Sequence, residues 1–397
     1  QTGQCRADVG TWRNHVGVEL GRGQILRAEL PAVGRHLEDH RSRRRTTGDP
    51  ERLRDPLGIL SVQRALAERG DPRLLLFQQQ LPTAEYIASH IEEVDALPFE
   101  GVIFAIPSTD AMRTPQVISL EQFRAELAPM AHAQQSLQRV RHNFVYVRLI
   151  RMNPLLTETS TVAQSMANLA TAAEEAGLAG IVYDNEDYEN DTWAPEFSCP
   201  GSSQDACVAQ AKQAGRTVMA AMIQQWPEVT LLTTLGPFFG DPPVFRQILR
   251  EEPKPKHYIS GAFAAGLGEA TIGTDATYVD GGEVYFVHTD EQATEHRRLR
   301  KEVLPTDSVL VADDLRRQFA DKVSIAFTFY DENGGDPQRW RNDIAVALRA
   351  TDQYVWAFAF HTVWLGTPGP GKRAAGQEWY DATTAGRVDG RATALPR

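Results

Sequence analysis

From Arg73 onward one pattern repeats: a short β-rich apolar run, then an amphipathic stretch of ten to twenty residues, then another run. Few architectures satisfy that alternation, because parallel strands need a helical crossover to return the chain to the next strand. The runs are "LLLFQQ" (74–79), "GVIFAIP" (101–107), "NFVYVRLI" (143–150), "GIVYDNE" (180–186) and "VTLLTTLG" (229–236). "ATYVDGGE" (276–283), "VSIAFTFYDE" (323–332) and "YVWAFAFHTVWL" (354–365) complete the set. Between them lie helix-like segments such as "PTAEYIASHIEEVDAL", with Pro82 and Thr83 near its start. Eight parallel strands each carrying a helix predict an α/β fold, a TIM (β/α)8 barrel over residues 73–366. An open doubly wound sheet is the alternative, but no G-x-G-x-x-G turn follows the first strand.

The flanks read differently. Residues 1–72 are irregular and Arg-rich, an arm with one helix-like piece, "GILSVQRALAERG". Residues 367–397 read as a surface extension. The chain carries a net charge of −11, which argues against nucleic acid as a general partner despite the arginines of "RSRRRTTGDPERLR" (41–54). No apolar run reaches the 18 or so residues that a membrane span needs, and no signal peptide opens at Gln1. Cys199 and Cys207 flank a Pro/Gly/Ser loop that either closes as a small disulfide or holds two thiols. The bridged form predicts an exported protein whose leader is absent from this chain.

In a TIM barrel the chemistry sits where strands end and βα loops begin. The fourth strand runs into "DNEDYENDTW", a dense negative charge that is costly at a strand tip unless water, a metal or a substrate meets it. Side chains alternate, so Asp184 and Glu186 share one face and Asn185 takes the other. Placed inward, the two acids raise each other's pKa, the condition that general acid/base chemistry near neutral pH requires. An EF-hand is excluded because no glycine stands at the sixth position of a D-x-[DN] frame; a calcium site on Asp187, Glu189 and Asp191 stays open. "VDGGE" adds Asp280 and Glu283 beside two flexible glycines, and "YDENGG" adds Asp331 and Glu332. Tyr188, Trp193, Tyr285, Tyr330 and Trp364 are candidate platforms for sugar rings, and His361 a candidate donor to a sugar hydroxyl.

Other signals fail. "GTPGPGK" (366–372) lacks the Mg²⁺-binding hydroxyl, since Arg373 follows, and its prolines delete amides that would cradle phosphate. "GLGEATIG" (266–273) follows no predicted strand. Neither H-E-x-x-H nor C-x-x-C occurs, so no metal site and no cofactor is expected.

"GLAGIVYDNEDY" resembles the [FY]-D-x-E-x-Y strand-four motif of a planctomycete-type family of bacterial TIM-barrel glycoside hydrolases. The resemblance extends to residues 82–104, 258–283 and 353–365, and implies fold and reaction class more than substrate. Two better-known groups echo it locally. Asp184 and Glu186 resemble the end of the chitinase-type D-x-x-D-x-D-x-E motif, which implies an acid at Glu186; Val182 stands where that motif has a further Asp. Asn185-Glu186 resembles the Asn-Glu of clan A retaining enzymes, which implies a nucleophile at Glu332. The expected function is carbohydrate hydrolysis, with Glu186 as proton donor, Asp184 tuning it, and Glu283, Asp280 or Glu332 as nucleophile or base. A catalytically silent carbohydrate-binding barrel and a metal-dependent lyase or isomerase are the rivals.

Overall fold

The computed structural model describes residues 71–109, 116–148, 154–186, 193–331 and 335–392. The Arg-rich arm before Asp71, Glu332, Tyr188 and the acids Asp187, Glu189 and Asp191 lie outside the described residues. Strands β1 (Arg73–Gln78), β2 (Gly101–Phe104), β3 (Phe144–Arg148), β4 (Gly180–Asp184), β5 (Thr230–Thr233) and β6 (Thr277–Asp280) come first. β7 (Ser324–Ile325), β8 (Phe327–Tyr330) and β9 (Tyr354–Ala359) follow. All neighbours are parallel, in the order β7-β6-β5-β4-β3-β2-β1-β9-β8. β7 and β8 are separated by Ala326 alone, so the two ends of that row are one chain segment and the sheet is a barrel of eight staves.

Alternation along each strand divides the core in two. Leu75, Ile103, Phe144, Val182, Leu232, Val279, Ala326 and Trp356 fill the barrel interior. Leu74, Leu76, Val102, Val145, Ile181, Leu231, Tyr278 and Phe327 face the helices. Among those helices, Leu120–Ser136 is capped by Ser119, Gln204–Gln225 by Ser203, and Pro337–Ala350 by Asp336, whose side chains accept early amides that the helix leaves unpaired. Gly266 and Gly268 lie inside helix Pro255–Ala270, packed against its neighbours, and form no ligand loop.

The structure corrects two expectations about the C-terminal third. The run 354–365 is not one strand: β9 ends at Ala359, where the buried Asp331 carboxylate takes the amides of Phe360 (2.6 Å) and His361 (2.9 Å) and turns the chain. Thr362–Val363 then pairs with Arg373–Ala374 in a separate parallel ribbon. The segment after residue 366 is also more than a surface extension. Helix Gln377–Ala392 buries Trp379, Ala382, Thr383, Gly386 and Gly390, and Thr383 accepts the indole N–H of Trp340 at 2.8 Å. It is the eighth barrel helix, so the barrel runs to Ala392.

The seam between β6 and β7 is held by one cation. Arg300 sits in a π-helical turn, Leu299–Val303, and its side chain is fully buried beside the equally buried Asp280 carboxylate at 3.0 Å. The same guanidinium donates to the carbonyls of Asp280 (2.6 Å) and Ala326 (2.8 Å) and lies over the rings of Phe238 and Phe327. Ala326 N in turn donates to the Asp280 carbonyl at 2.8 Å. Breaking such a pair leaves a charge buried without its partner. Arg300→Met should therefore lower unfolding free energy by about 3–5 kcal/mol, and Arg300→Met/Asp280→Asn should recover part of it, both read by urea denaturation. A loss below about 1 kcal/mol for the single variant contradicts this role.

Candidate active site

The carboxyl rim of the barrel gathers three acids. Asp184, at the tip of β4, points inward, where its carboxylate accepts the hydroxyls of Tyr146 and, at 3.3 Å, Thr234. Its Oδ1 also accepts the Glu186 amide at 3.1 Å, which folds the chain so that residue 186 stays on the same side. Asn185 turns away: its amide group is spent on the N–H and C=O of Leu235 at 2.9 and 2.8 Å. Asn185 is thus on the opposite side from Asp184, as alternation expects.

Glu283 joins them from the loop after β6. Its backbone N–H donates to the Thr234 carbonyl at 3.1 Å, and its Oε1 accepts the Tyr285 hydroxyl. Its Oε2 is shielded from water and has no hydrogen-bond partner among the described residues. Burial drives the Glu283 pKa well above the ordinary carboxylate range, and the charges of Glu186 and Asp184 push it the same way. The turn that delivers it depends on two glycines. A Cβ on Gly281 would strike the Thr233 carbonyl, and one on Gly282, at φ 63°, would strike the Arg300 guanidinium.

Beside the acids lies a cluster of aromatic rings. Phe77 stands 5.5 Å from the rings of both Tyr146 and Trp356 and 5.4 Å from Phe358. Tyr285 packs on Tyr330 at 4.9 Å and on Phe358 at 6.2 Å. The two tyrosines beside the acids, Tyr146 and Tyr285, are held firmly protonated, first by burial and then by the neighbouring carboxylates. They are donors to those carboxylates, which fixes the rotamers of Asp184 and Glu283. Among the described residues no three His, Cys, Asp or Glu side chains are grouped to hold a metal ion.

The expected site residues divide cleanly. Asp184, Glu186 and Glu283 come together, with Tyr285 and Tyr330 beside them. Asp280 does not: residue 280 faces the helices and its carboxylate is paired with Arg300. Trp193 is 3% exposed and Trp364 4%, the first wedged against Phe263 and the second between Phe99 and Tyr380. Both are packing residues rather than platforms. His361 is half-buried at the end of β9, edge-on to Phe360 at 4.6 Å, and burial lowers its pKa, so its imidazole is neutral near pH 7. Glu332 and Tyr188 lie outside the described residues. Sequence reasoning missed Tyr146 and Thr234. Both follow from parity: Tyr146 shares a face with Phe144, and Thr234 with Leu232.

No protein-family model and no curated protein sequence matches the chain. Among solved structures it is similar to a GH18 chitinase from Pseudoalteromonas aurantia, at 12% identity and TM-score 0.38 over 72% of this chain and 94% of that one. It is also similar to the exo-beta-1,4-mannosidase Op5Man5 from Opitutaceae bacterium strain TAV5, at 12% and 0.47 over 83% and 61%. Mannonate dehydratase from Streptococcus suis serotype2 is a third, at 9% and 0.42 over 81% and 95%. At these values the likeness is one of fold, and the chemistry must be read from the site itself.

A buried acid with a raised pKa has a stability signature. The folded protein holds the Glu283 proton more tightly than the unfolded chain, whose glutamate titrates near 4.5. The stability this proton confers is complete below that value and is lost as pH rises toward the folded pKa. Between pH 5 and 8 the wild-type melting temperature should fall by more than that of Glu283→Gln, which should be the more stable protein at pH 8. Parallel melting curves across that range would contradict the shift.

Proposed function

We propose that the protein is a glycoside hydrolase working by carboxylate acid/base catalysis at the barrel rim. The observation that carries this reading is the convergence of Asp184, Glu186 and Glu283 at the strand ends, where burial and then the charges of Glu186 and Asp184 push the Glu283 pKa well above the ordinary carboxylate range. Pairs of carboxyl groups whose environments drive their pKa values apart supply an acid and an ionised partner at the same pH. On this reading the resting proton sits on Glu283, which gives it to the leaving oxygen. Glu186, half-buried and so open to the mouth, is the ionised partner that attacks the sugar or activates water. This exchanges the roles expected from sequence, because burial falls on Glu283. Asp184, bound to Tyr146 and Thr234, positions Glu186 through its amide and adds the negative charge that keeps Glu283 protonated. A carboxyl gap of about 5 Å gives retention and one of roughly 6.5–9.5 Å gives inversion.

The parallel barrel is the fold that such an activity would use. The Cys199–Cys207 disulfide, with Cα atoms 5.6 Å apart, supports an oxidising, extracytoplasmic setting. Carbohydrate is the partner this chemistry requires; nucleic acid is not.

Leaving-group dependence tests the roles. Glu186→Gln should lower turnover at least about 100-fold on both an activated aryl glycoside and a natural glycan. Glu283→Gln should do so on the glycan, with a much smaller loss on the aryl glycoside, whose leaving group needs little acid help. A screen in which neither variant departs from wild type on any hydrolysed substrate removes the assignment.

A further inference from the structure

Thr234 is the first residue past β5, the strand that the sheet order places between β4 and β6. It is 2% exposed and shares the interior face with Leu232. Its backbone ties the two acid-bearing walls together. The Thr234 N–H donates to the Tyr183 carbonyl at 3.2 Å, one residue before Asp184, and the Thr234 carbonyl accepts the Glu283 amide at 3.1 Å.

Its hydroxyl has more acceptors than protons. Oγ1 lies 3.3 Å from Asp184 Oδ1 and 3.1 Å from Asn185 Oδ1, and it acts on the Glu283 carboxyl as a third hydrogen-bonding neighbour. A threonine hydroxyl carries a single hydrogen and serves one acceptor at a time. Asn185 Oδ1 is already served by the Leu235 amide at 2.9 Å, whereas Glu283 Oε2 has no hydrogen-bond partner among the described residues. The choice that matters is therefore between Asp184 and Glu283. While Glu283 is neutral, ionised Asp184 is the stronger acceptor, because a hydrogen bond to a charged group outweighs one between neutral groups. Once Glu283 loses its proton, Oε2 belongs to a buried anion that Tyr285 meets on the other oxygen.

We propose that Thr234 is a positioning residue whose hydroxyl donates to Asp184 in the resting protein and swings to Glu283 as that residue gives its proton away. In that step the bond between the sugar carbon and the leaving oxygen breaks, its electron pair stays on the oxygen, and the oxygen takes the Glu283 proton. The carboxylate left behind meets a donor that the resting state had turned elsewhere. Stabilisation of this kind grows during the reaction, which is what lowers its barrier. Tyr285 already donates to Glu283 at rest and adds less of that difference. This deepens the hydrolase reading and rests on it.

The ionisable groups around Glu283 are Asp184 and Glu186 on β4, Tyr146 with Arg148 on β3, Tyr285 in its own loop and Tyr330 on β8, with Arg300 against Gly282. Thr234→Val keeps the side-chain shape, removes the hydroxyl and alters none of them; Thr234→Ser keeps the hydroxyl. A titration needs no turnover. The pH at which the Glu283 acid band disappears, read by infrared difference against Glu283→Gln, should rise by about half a unit or more in Thr234→Val, because the ionised form loses a donor. In Thr234→Ser it should stay at the wild-type position. In kinetics, Thr234→Val should lower kcat on a natural glycan about tenfold or more, with a much smaller loss on an activated aryl glycoside, and Thr234→Ser should stay within about threefold of wild type on both. An unmoved titration in Thr234→Val, equal losses on the two substrates, or a serine variant as impaired as the valine overturns the donor switch even if hydrolysis is found. A titration that moves in a protein that hydrolyses nothing would instead overturn the hydrolase and keep the donor.

Discussion

Arg300 is where fold and site are joined. A barrel must close, and here the closing stave is broken at Ala326, where two backbone carbonyls, those of Asp280 and Ala326, meet a buried cation. The guanidinium supplies donors to both and charge to Asp280 in one rigid fork, a task that the single ammonium of lysine would not perform. It also lies against Gly282, so the turn that presents Glu283 is shaped around it. A residue buried among helices thus sets the position of an acid at the rim.

The electrostatics of the rim run against stability. Three carboxyl groups share a site floored by Phe77, Trp356 and Phe358, and for Glu283 desolvation and like charge both disfavour ionisation. The protein offsets part of that cost with neutral donors: Tyr146 and Thr234 on Asp184, Tyr285 on Glu283. Donors of this kind orient a carboxylate without neutralising it. Elsewhere buried acids are treated differently. Asp352 is paired with Arg297 at 2.8 Å and Lys301 at 3.1 Å, and its pKa is depressed by them despite burial. Glu283 instead combines a raised pKa with like-charged neighbours and no cation, a combination more typical of functional sites than of structural ion pairs.

Much of this was legible in the chain. Alternation of β-rich and amphipathic segments gave eight staves because that pattern has few solutions, and two-residue periodicity put Asp184 and Glu186 on one face. What failed did so for physical reasons. Asp280 and Glu283 stand three apart, so simple alternation already puts them on opposite faces, and the partner that claims Asp280, Arg300, is twenty residues away in sequence. Trp193 and Trp364 looked like platforms because composition does not say which side of a loop a ring takes; contacts with Phe263 on one helix and Tyr380 on the eighth decide that. The tail after residue 366 looked disposable because small residues dominate it, yet Gly386 and Gly390 are what let that helix approach Ile344 and Leu348 closely.

Whether Glu283 holds a proton at neutral pH is the question on which the chemistry turns. Infrared difference spectroscopy on the C=O stretch of protonated carboxylic acids answers it without any substrate. At pH 7 wild type should show an acid band that is missing in Glu283→Gln and diminished in Asp184→Asn, where one of the charges opposing ionisation is gone. Identical spectra for wild type and Glu283→Gln at that pH would mean the residue is ionised, and the acid role assigned to it would be wrong.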